Sequence, residues 1–209
     1  MKTQQKCVFT IGHSTHTIEA FVGLLLKHNV TAIVDVRSAP FSRFNPQFNK
    51  DALERDLKAR EIKYVFLGRE LGARSDDPAC YENGRVQYAR LAQTAFFQSG
   101  LDRVMDGATK YRLALMCAEK EPLECHRTIL VARYLVLHGL DVEHIHADGR
   151  LEDHVAALSR LARMLNMPEQ DMFRSSEELL ADLYHRQEER IAYASAPAAA
   201  VEVTLGGTR

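Results

Sequence analysis

Residues 115–127, LMCAEKEPLECHR, bring together the side chains that acid–base, nucleophilic or metal chemistry would use: Cys117, Glu119, Cys125, His126 and Arg127. Cys125 stands beside an imidazole and a guanidinium where a helix is expected to begin. That setting lowers a thiol pKa and makes a thiolate nucleophile; a buried, inert cysteine is the competing reading. Cys117 falls at the end of an apolar run. Phosphatase and rhodanese loops place a cysteine there with an arginine six residues on, but here that position is Leu123 and Arg127 is ten away, so their chemistry is not assigned. Cys117 remains a second candidate nucleophile, and Glu119 a group that orients it or acts as acid or base. The acids and Pro122 also suit a plain helix start, where proline loses no hydrogen bond and carboxylates meet the positive end. Arg127 is not explained in that way. A guanidinium entering an apolar helix needs an anion, supplied by a ligand or by Asp35 or Glu119.

Two further polar motifs follow apolar runs. Gly12-His13-Ser14-Thr15 offers His13 as a general base or anion donor and Ser14 as a ligand contact, although Ser14, Thr15 or Thr17 would equally cap the next helix. Asp35-Val36-Arg37-Ser38 leads into Pro40-Phe41-Ser42-Arg43-Phe44-Asn45-Pro46, and no acid occurs from residue 37 to 50. Arg37 and Arg43, interleaved with Phe41, Phe44 and Phe48, would suit stacked bases and phosphates; a proline-ordered loop that buries its phenylalanines is the alternative. The stretch His144-Ile145-His146-Ala147-Asp148 is close to the HxHxDH pattern of metallo-β-lactamases, but residue 149 is glycine. The set Cys117, Cys125, His126 and His13 has no recognised zinc spacing. No metal ligand set and no cofactor are assigned.

These motifs need elements to hold them. Strands are expected at 8–11, 32–34, 62–67, 111–116 and 142–146 from short apolar, β-prone runs. Helices are expected at 17–28 (Ile18, Phe21, Leu24, Leu25 and Leu26 inward), at 51–59 (Leu53 and Leu57 inward), at 86–105, and at 123–138 closed by Gly139. Residues 68–84 read as a loop and mobile lid. The alternation predicts an α/β fold: a mostly parallel sheet with helices on both faces, Rossmann-like and three-layered. The expected division is an α/β core over 1–155, a helical extension over 156–193 packed on it, and a disordered tail over 194–209. In such sheets ligands bind beyond the carboxyl ends of the strands, where all three motifs fall.

The chain has 209 residues, 46% hydrophobic and 26% charged, with net charge −1. That is enough for one sizeable core, and it gives no overall pull toward nucleic acid or anionic membrane. Four cysteines without a CxxC pair do not form a disulfide framework in a chain of this length. Neither a signal-peptide core nor an apolar run of about 18 residues is present, so a soluble, cytoplasmic protein without membrane association is expected.

The segments TIGHST, VDVRSAPFSRFNPQFN, IKYVFLGRELGARS, LMCAEKEPLECHR and VEHIHADG, in that order, resemble the domain-of-unknown-function family DUF488 over about residues 7–155. The resemblance implies a compact α/β domain and no particular reaction. The leading expectation from the residues is an enzyme or ligand-binding domain for a small anionic, phosphate-bearing molecule. Arg37 and Arg127 would bind the anion, with Ser14, Asp35, Ser38 and Arg43 around it. His13 or His126 would exchange protons, and Cys125 or Cys117 would be the nucleophile. The rivals are a nucleic-acid-binding module built on loop 37–49 and a metal-binding protein.

Overall fold

The structure, a computed structural model, describes residues 7–168 and 170–194. In chain order its elements are β1 (Cys7–Gly12), α1 (Ile18–Lys27), β2 (Ala32–Asp35), α2 (Lys50–Lys58), β3 (Lys63–Phe66), α3 (Gly68–Leu71), β4 (Tyr81–Glu82), β5 (Arg85–Val86), α4 (Tyr88–Ala92), α5 (Ala95–Ala108), β6 (Leu113–Cys117), α6 (Arg133–Leu137), β7 (Asp141–Ile145), β8 (Leu151–Asp153), α7 (His154–Met164) and α8 (Ser176–Ile191). One sheet runs β3-β2-β6-β1-β7-β8, parallel except for β8, and β4 pairs with β5 in a separate hairpin. The fold is α/β with helices on both faces, as the alternation of elements predicts.

Alternation along the strands sends neighbouring residues to opposite faces. In β6, Leu113, Leu115 and Cys117 join the core under α5, α6 and α7, whereas Ala114 and Met116 join the one under α1 and α2. Val34 and Val36 share the face of Cys117; Ile33 lies on the other. α1 starts where the Thr17 side chain accepts from the Ala20 amide, and it buries Phe21, Val22 and Leu25. Leu26, expected inward, is half exposed, because it sits one 100° step round from Leu25 and off the buried stripe.

Three other expectations need correction. The expected helix at 86–105 is two helices, because Thr94 leaves the helical conformation and caps α5 by accepting from the Phe97 amide. Residues 68–84 are not a free lid. They contain α3, which buries Leu71, a 3-10 turn at Pro78–Cys80 and β4. Within the segment, the Tyr81 hydroxyl bridges the amide and the carbonyl of Ser75. The expected helix at 123–138 is a 3-10 turn (Pro122–Glu124), an extended Cys125 (φ −140°, ψ 140°), a π-helical turn (Arg127–Ala132) and then α6. Gly139 follows α6 with φ +82°, as its expected role in closing the helix requires.

α8 is docked by Gln187, whose amide donates to the Leu123 carbonyl at 2.8 Å, and by Glu188, which accepts from the Tyr88 amide at 2.6 Å. The tail expected to be disordered lies outside the described residues from Ser195 onward; Ala194 is bridged to Arg85. No described helix is long and apolar enough to cross a membrane.

Candidate functional site

The carboxyl edge of the sheet carries two polar clusters. On the α1/α2 side, Asp35 holds Arg37 through two bonds, Nε to Oδ1 at 2.9 Å and Nη2 to Oδ2 at 2.6 Å. Nη2 also donates to the Phe48 carbonyl at 2.8 Å, and the Tyr64 hydroxyl donates to Asp35 at 2.7 Å. Tyr64 is held above its ordinary pKa, first by burial and then by Asp35. The His13 ring lies flat on Phe48, 4.3 Å between centroids. Its Nδ1 donates to the Ser14 carbonyl at 2.9 Å, which leaves Nε2 to accept from Arg37 Nη1 at 3.1 Å. Burial lowers the His13 pKa to about 4, with the Arg37 charge adding to the effect. The Nε2 acceptor that a general base would use is thus taken up by Arg37 in this structure.

Gly12 and the turn after it hold the β6 loop in place. The amides of His13 and Ser14 continue the β1–β6 ladder by donating to the carbonyls of Cys117 and Ala118, both at 2.9 Å. A Cβ at Gly12 would run into the Glu119 carbonyl, so this approach requires glycine. The same carbonyl accepts from Arg127 Nη1 at 2.7 Å, and the Lys120 carbonyl accepts from Nη2 at 3.4 Å. Arg127 is fully buried. Its countercharge was expected from a ligand or from Asp35 or Glu119; two main-chain carbonyls receive the guanidinium instead, and Asp35 is taken by Arg37.

On the other face lies the second cluster. Cys125, in its extended conformation, turns Sγ back toward Cys117. His126 directs Nδ1 at both sulfurs, 3.7 Å from Cys117 and 3.8 Å from Cys125, while Nε2 bonds the Val36 carbonyl at 2.9 Å. A carbonyl only accepts, so Nε2 carries a proton. Cys125 Sγ is 3.0 Å from Glu119 Oε2 and 3.5 Å from the Arg127 amide, which donates to it. Burial pushes both thiols up, and Cys117 stays well above its ordinary value. For Cys125 the bond from Cys117 and the charges of Arg127 and His126 outweigh burial, and its pKa falls well below the ordinary thiol value. Glu119 is raised by burial and by the neighbouring Cys125. Burial opposes protonation of His126, but Cys125 and Glu119 prevail and raise it. The cluster brings together two sulfurs, an imidazole and a carboxyl, and the ligand atoms of Cys117, Cys125 and His126 are grouped as those of a metal site would be.

These groups line a cavity of about 290 Å³ whose walls include Arg37, Ser38, Arg74, Tyr88, Ile191 and Tyr193. Of the residues singled out from sequence, Cys117, Glu119, Cys125, His126, Arg37 and Ser38 line it; His13, Ser14, Asp35, Arg43 and Arg127 do not. Arg43 is exposed and stacks on Phe44, 4.8 Å from the ring centroid. The ring nitrogens of His144 and His146 are also engaged, His144 with Thr10 and His154, His146 with Glu152 and Arg150. Sequence reading missed Arg74, Tyr88, Ile191 and Tyr193. Arg74 lies in a segment read as a free loop, and no periodicity reports that the end of α8 folds back over a strand edge.

Residues 17–135 match the profile of Domain of unknown function DUF488. The chain belongs to the DUF488 family. The DUF488 match holds Arg37, Ser38, Arg74 and the whole sulfur–imidazole cluster, while Ile191 and Tyr193 lie beyond it. No curated protein and no solved structure matches the chain.

Proposed function

We propose that this DUF488 protein is an enzyme acting on a small anionic molecule, with the Cys117–Cys125–His126–Glu119 cluster as the reacting end of its cavity. One observation carries this reading: those four side chains share a single cavity at the sheet edge with Arg74. Arg74 has no carboxylate partner among the described residues and is stacked on Tyr193 at 4.1 Å. Arg37, already paired with Asp35, supplies a wall rather than a free charge. The volume suits a small metabolite.

A thermal-shift screen of wild type and Arg74→Ala against inorganic phosphate, sugar phosphates and nucleotides tests it. A ligand at about 100 times its Kd adds about 2.7 kcal/mol, a rise of about 5–10 °C for a domain of this size. The expected result is such a rise with one anion, lost in Arg74→Ala. No rise with any anion would sink the reading.

A second reading rests on a different observation. Phe41 and Phe44 are 72% and 79% exposed, in the acid-free run that also carries Arg43, whereas Phe48 is buried against His13. Exposed rings beside a guanidinium suit single-stranded nucleic acid. Fluorescence anisotropy with labelled oligonucleotides across a salt series would test this. Salt-steep binding abolished in a Phe41→Ala/Phe44→Ala double variant supports it, and no binding at low salt removes it.

A further inference from the structure

The sulfur–imidazole cluster has the geometry of an ion site. Cys117 Sγ, Cys125 Sγ and His126 Nδ1 lie within 4.8 Å of one another. In a tetrahedral site with metal–sulfur bonds of about 2.3 Å and metal–nitrogen bonds of about 2.0–2.1 Å, sulfur and nitrogen stand about 3.6 Å apart. The two sulfur–nitrogen separations here are 3.7 and 3.8 Å. Thiols are weak donors and acceptors, so mutual hydrogen bonds satisfy these buried groups poorly.

The surroundings agree with that use. With Nε2 tied as a donor to the Val36 carbonyl, Nδ1 is the nitrogen that faces the sulfurs, and its lone pair is available to an ion once its proton has left. Metal-bound histidines have their far nitrogen tied in the same way. The Arg127 amide donates to Cys125 Sγ, a bond that stabilises a thiolate. The turn that follows Cys125 and His126 is π-helical, a conformation frequent at functional positions.

We propose that Cys117, Cys125 and His126 bind one thiophilic divalent ion, zinc foremost, with a fourth coordination position open to the cavity. Two thiolates and an imidazole favour zinc over magnesium or calcium, and three protein ligands leave the open position of a reactive rather than a structural site. Glu119 stands outside the mutual set of three but lines the same cavity, placed to take a proton from a water on the ion. Binding is an exchange without electron transfer: one dication replaces two protons, one from the Cys117 thiol and one held between Cys125 and His126, which pass to the buffer, and the site's net charge is unchanged. The inference rests on the preceding reading only for what meets the open position.

The test uses the full, untagged chain, stripped with chelator, kept anaerobic with a non-thiol reductant and titrated with cobalt(II). The expected result is about one equivalent bound, with thiolate-to-cobalt charge transfer in the near ultraviolet and intense visible bands of a tetrahedral ion, both bleached by zinc. Cys117→Ser and Cys125→Ser should each lose roughly half of the charge-transfer intensity, one thiolate of two. His126→Gln should bind more than about 100-fold more weakly, beyond the range for outer-shell changes. Glu119→Gln should keep the charge-transfer bands. A folded, reduced wild type without these bands overturns the proposal even if the serine variants fail to fold, and so does cobalt binding unchanged in Cys117→Ser, Cys125→Ser and His126→Gln. The anion screen, run on the stripped chain, reads the cavity separately. An anion shift without cobalt bands overturns the ion site and leaves the cavity reading standing; cobalt bands without an anion shift support the ion site and count against that reading.

Discussion

His154 gives both ring nitrogens to other side chains: Nδ1 lies 3.1 Å from His144 Nε2, and Nε2 lies 2.8 Å from the Tyr184 hydroxyl. His144 carries the chain on to Thr10 at 2.7 Å. His126 is also buried, but only Nε2 has a close partner, the Val36 main-chain carbonyl at 2.9 Å, and Nδ1 faces two sulfurs across 3.7 and 3.8 Å at the wall of a cavity. The same residue type thus serves two ends. In the first region the hydrogen bonds close on one another, although His154 and Tyr184 also border a cavity. In the second, Nδ1 is left against two soft atoms at the wall of a cavity. Burial alone does not separate the two; the accounting of ring nitrogens does.

The largest test of this contrast concerns a second closed cluster, around Asp35. Asp35→Asn leaves the buried Arg37 uncompensated and should cost about 3–5 kcal/mol in denaturant unfolding. A cost below about 1 kcal/mol would mean that Arg37 is held by something other than its acid. Next, His154→Ala orphans His144 and Tyr184 and should destabilise by about 3–4 kcal/mol, against about 1–2 kcal/mol for His126→Ala, which loses one good bond. If His126→Ala proves the costlier of the two, the contrast fails.

Acid should act on the closed region in a defined direction. Burial lowers the His154 pKa from 6.5 to about 4, and burial followed by the His154 charge holds His144 well below its ordinary value. The unfolded chain therefore takes up protons first, and stability falls as pH drops from 6.5 to about 4, by about 3 kcal/mol for His154. Unfolding curves across that range should show the fall, and His154→Ala should flatten it; an equal slope in the variant would exclude His154 as its source. The smallest effect is expected at Arg74→Ala, which removes an exposed-side contact and should change stability by no more than about 0.5 kcal/mol. A large loss there would make Arg74 a structural tie.

The strands and the α/β class were legible because apolar runs of four or five residues recur at regular intervals. The sulfur–imidazole cluster was legible because Cys117 and His126 are close in sequence and their types are suited to chemistry. Arg127 was misjudged for a physical reason: a guanidinium signals a need for acceptors, and nothing in residue types distinguishes a carboxylate from a main-chain carbonyl. The break at Cys125 was hidden in the same way. The apolar run on its C-terminal side reads as helix, and the contacts that accompany the extended residue, Sγ to Glu119 and the Arg127 amide to Sγ, are not visible in residue types. The pairing of Asp35 with Arg37 is local, but their shared face with His13 and Phe48 appears only once β1 and β2 are placed in one sheet.

The position of α8 divides the cavity's two duties between different parts of the chain. The groups suited to chemistry lie within residues 17–135, whereas Ile191 and Tyr193, which close the wall and carry the Arg74 stack, come from the end of a helix beyond that span. A protein sharing residues 17–135 but not this helix would present the same sulfurs and imidazole to an open cleft. Changes along α8 would then re-size the opening, and with it the range of molecules that could fit, while the sulfur–imidazole end stayed as it is.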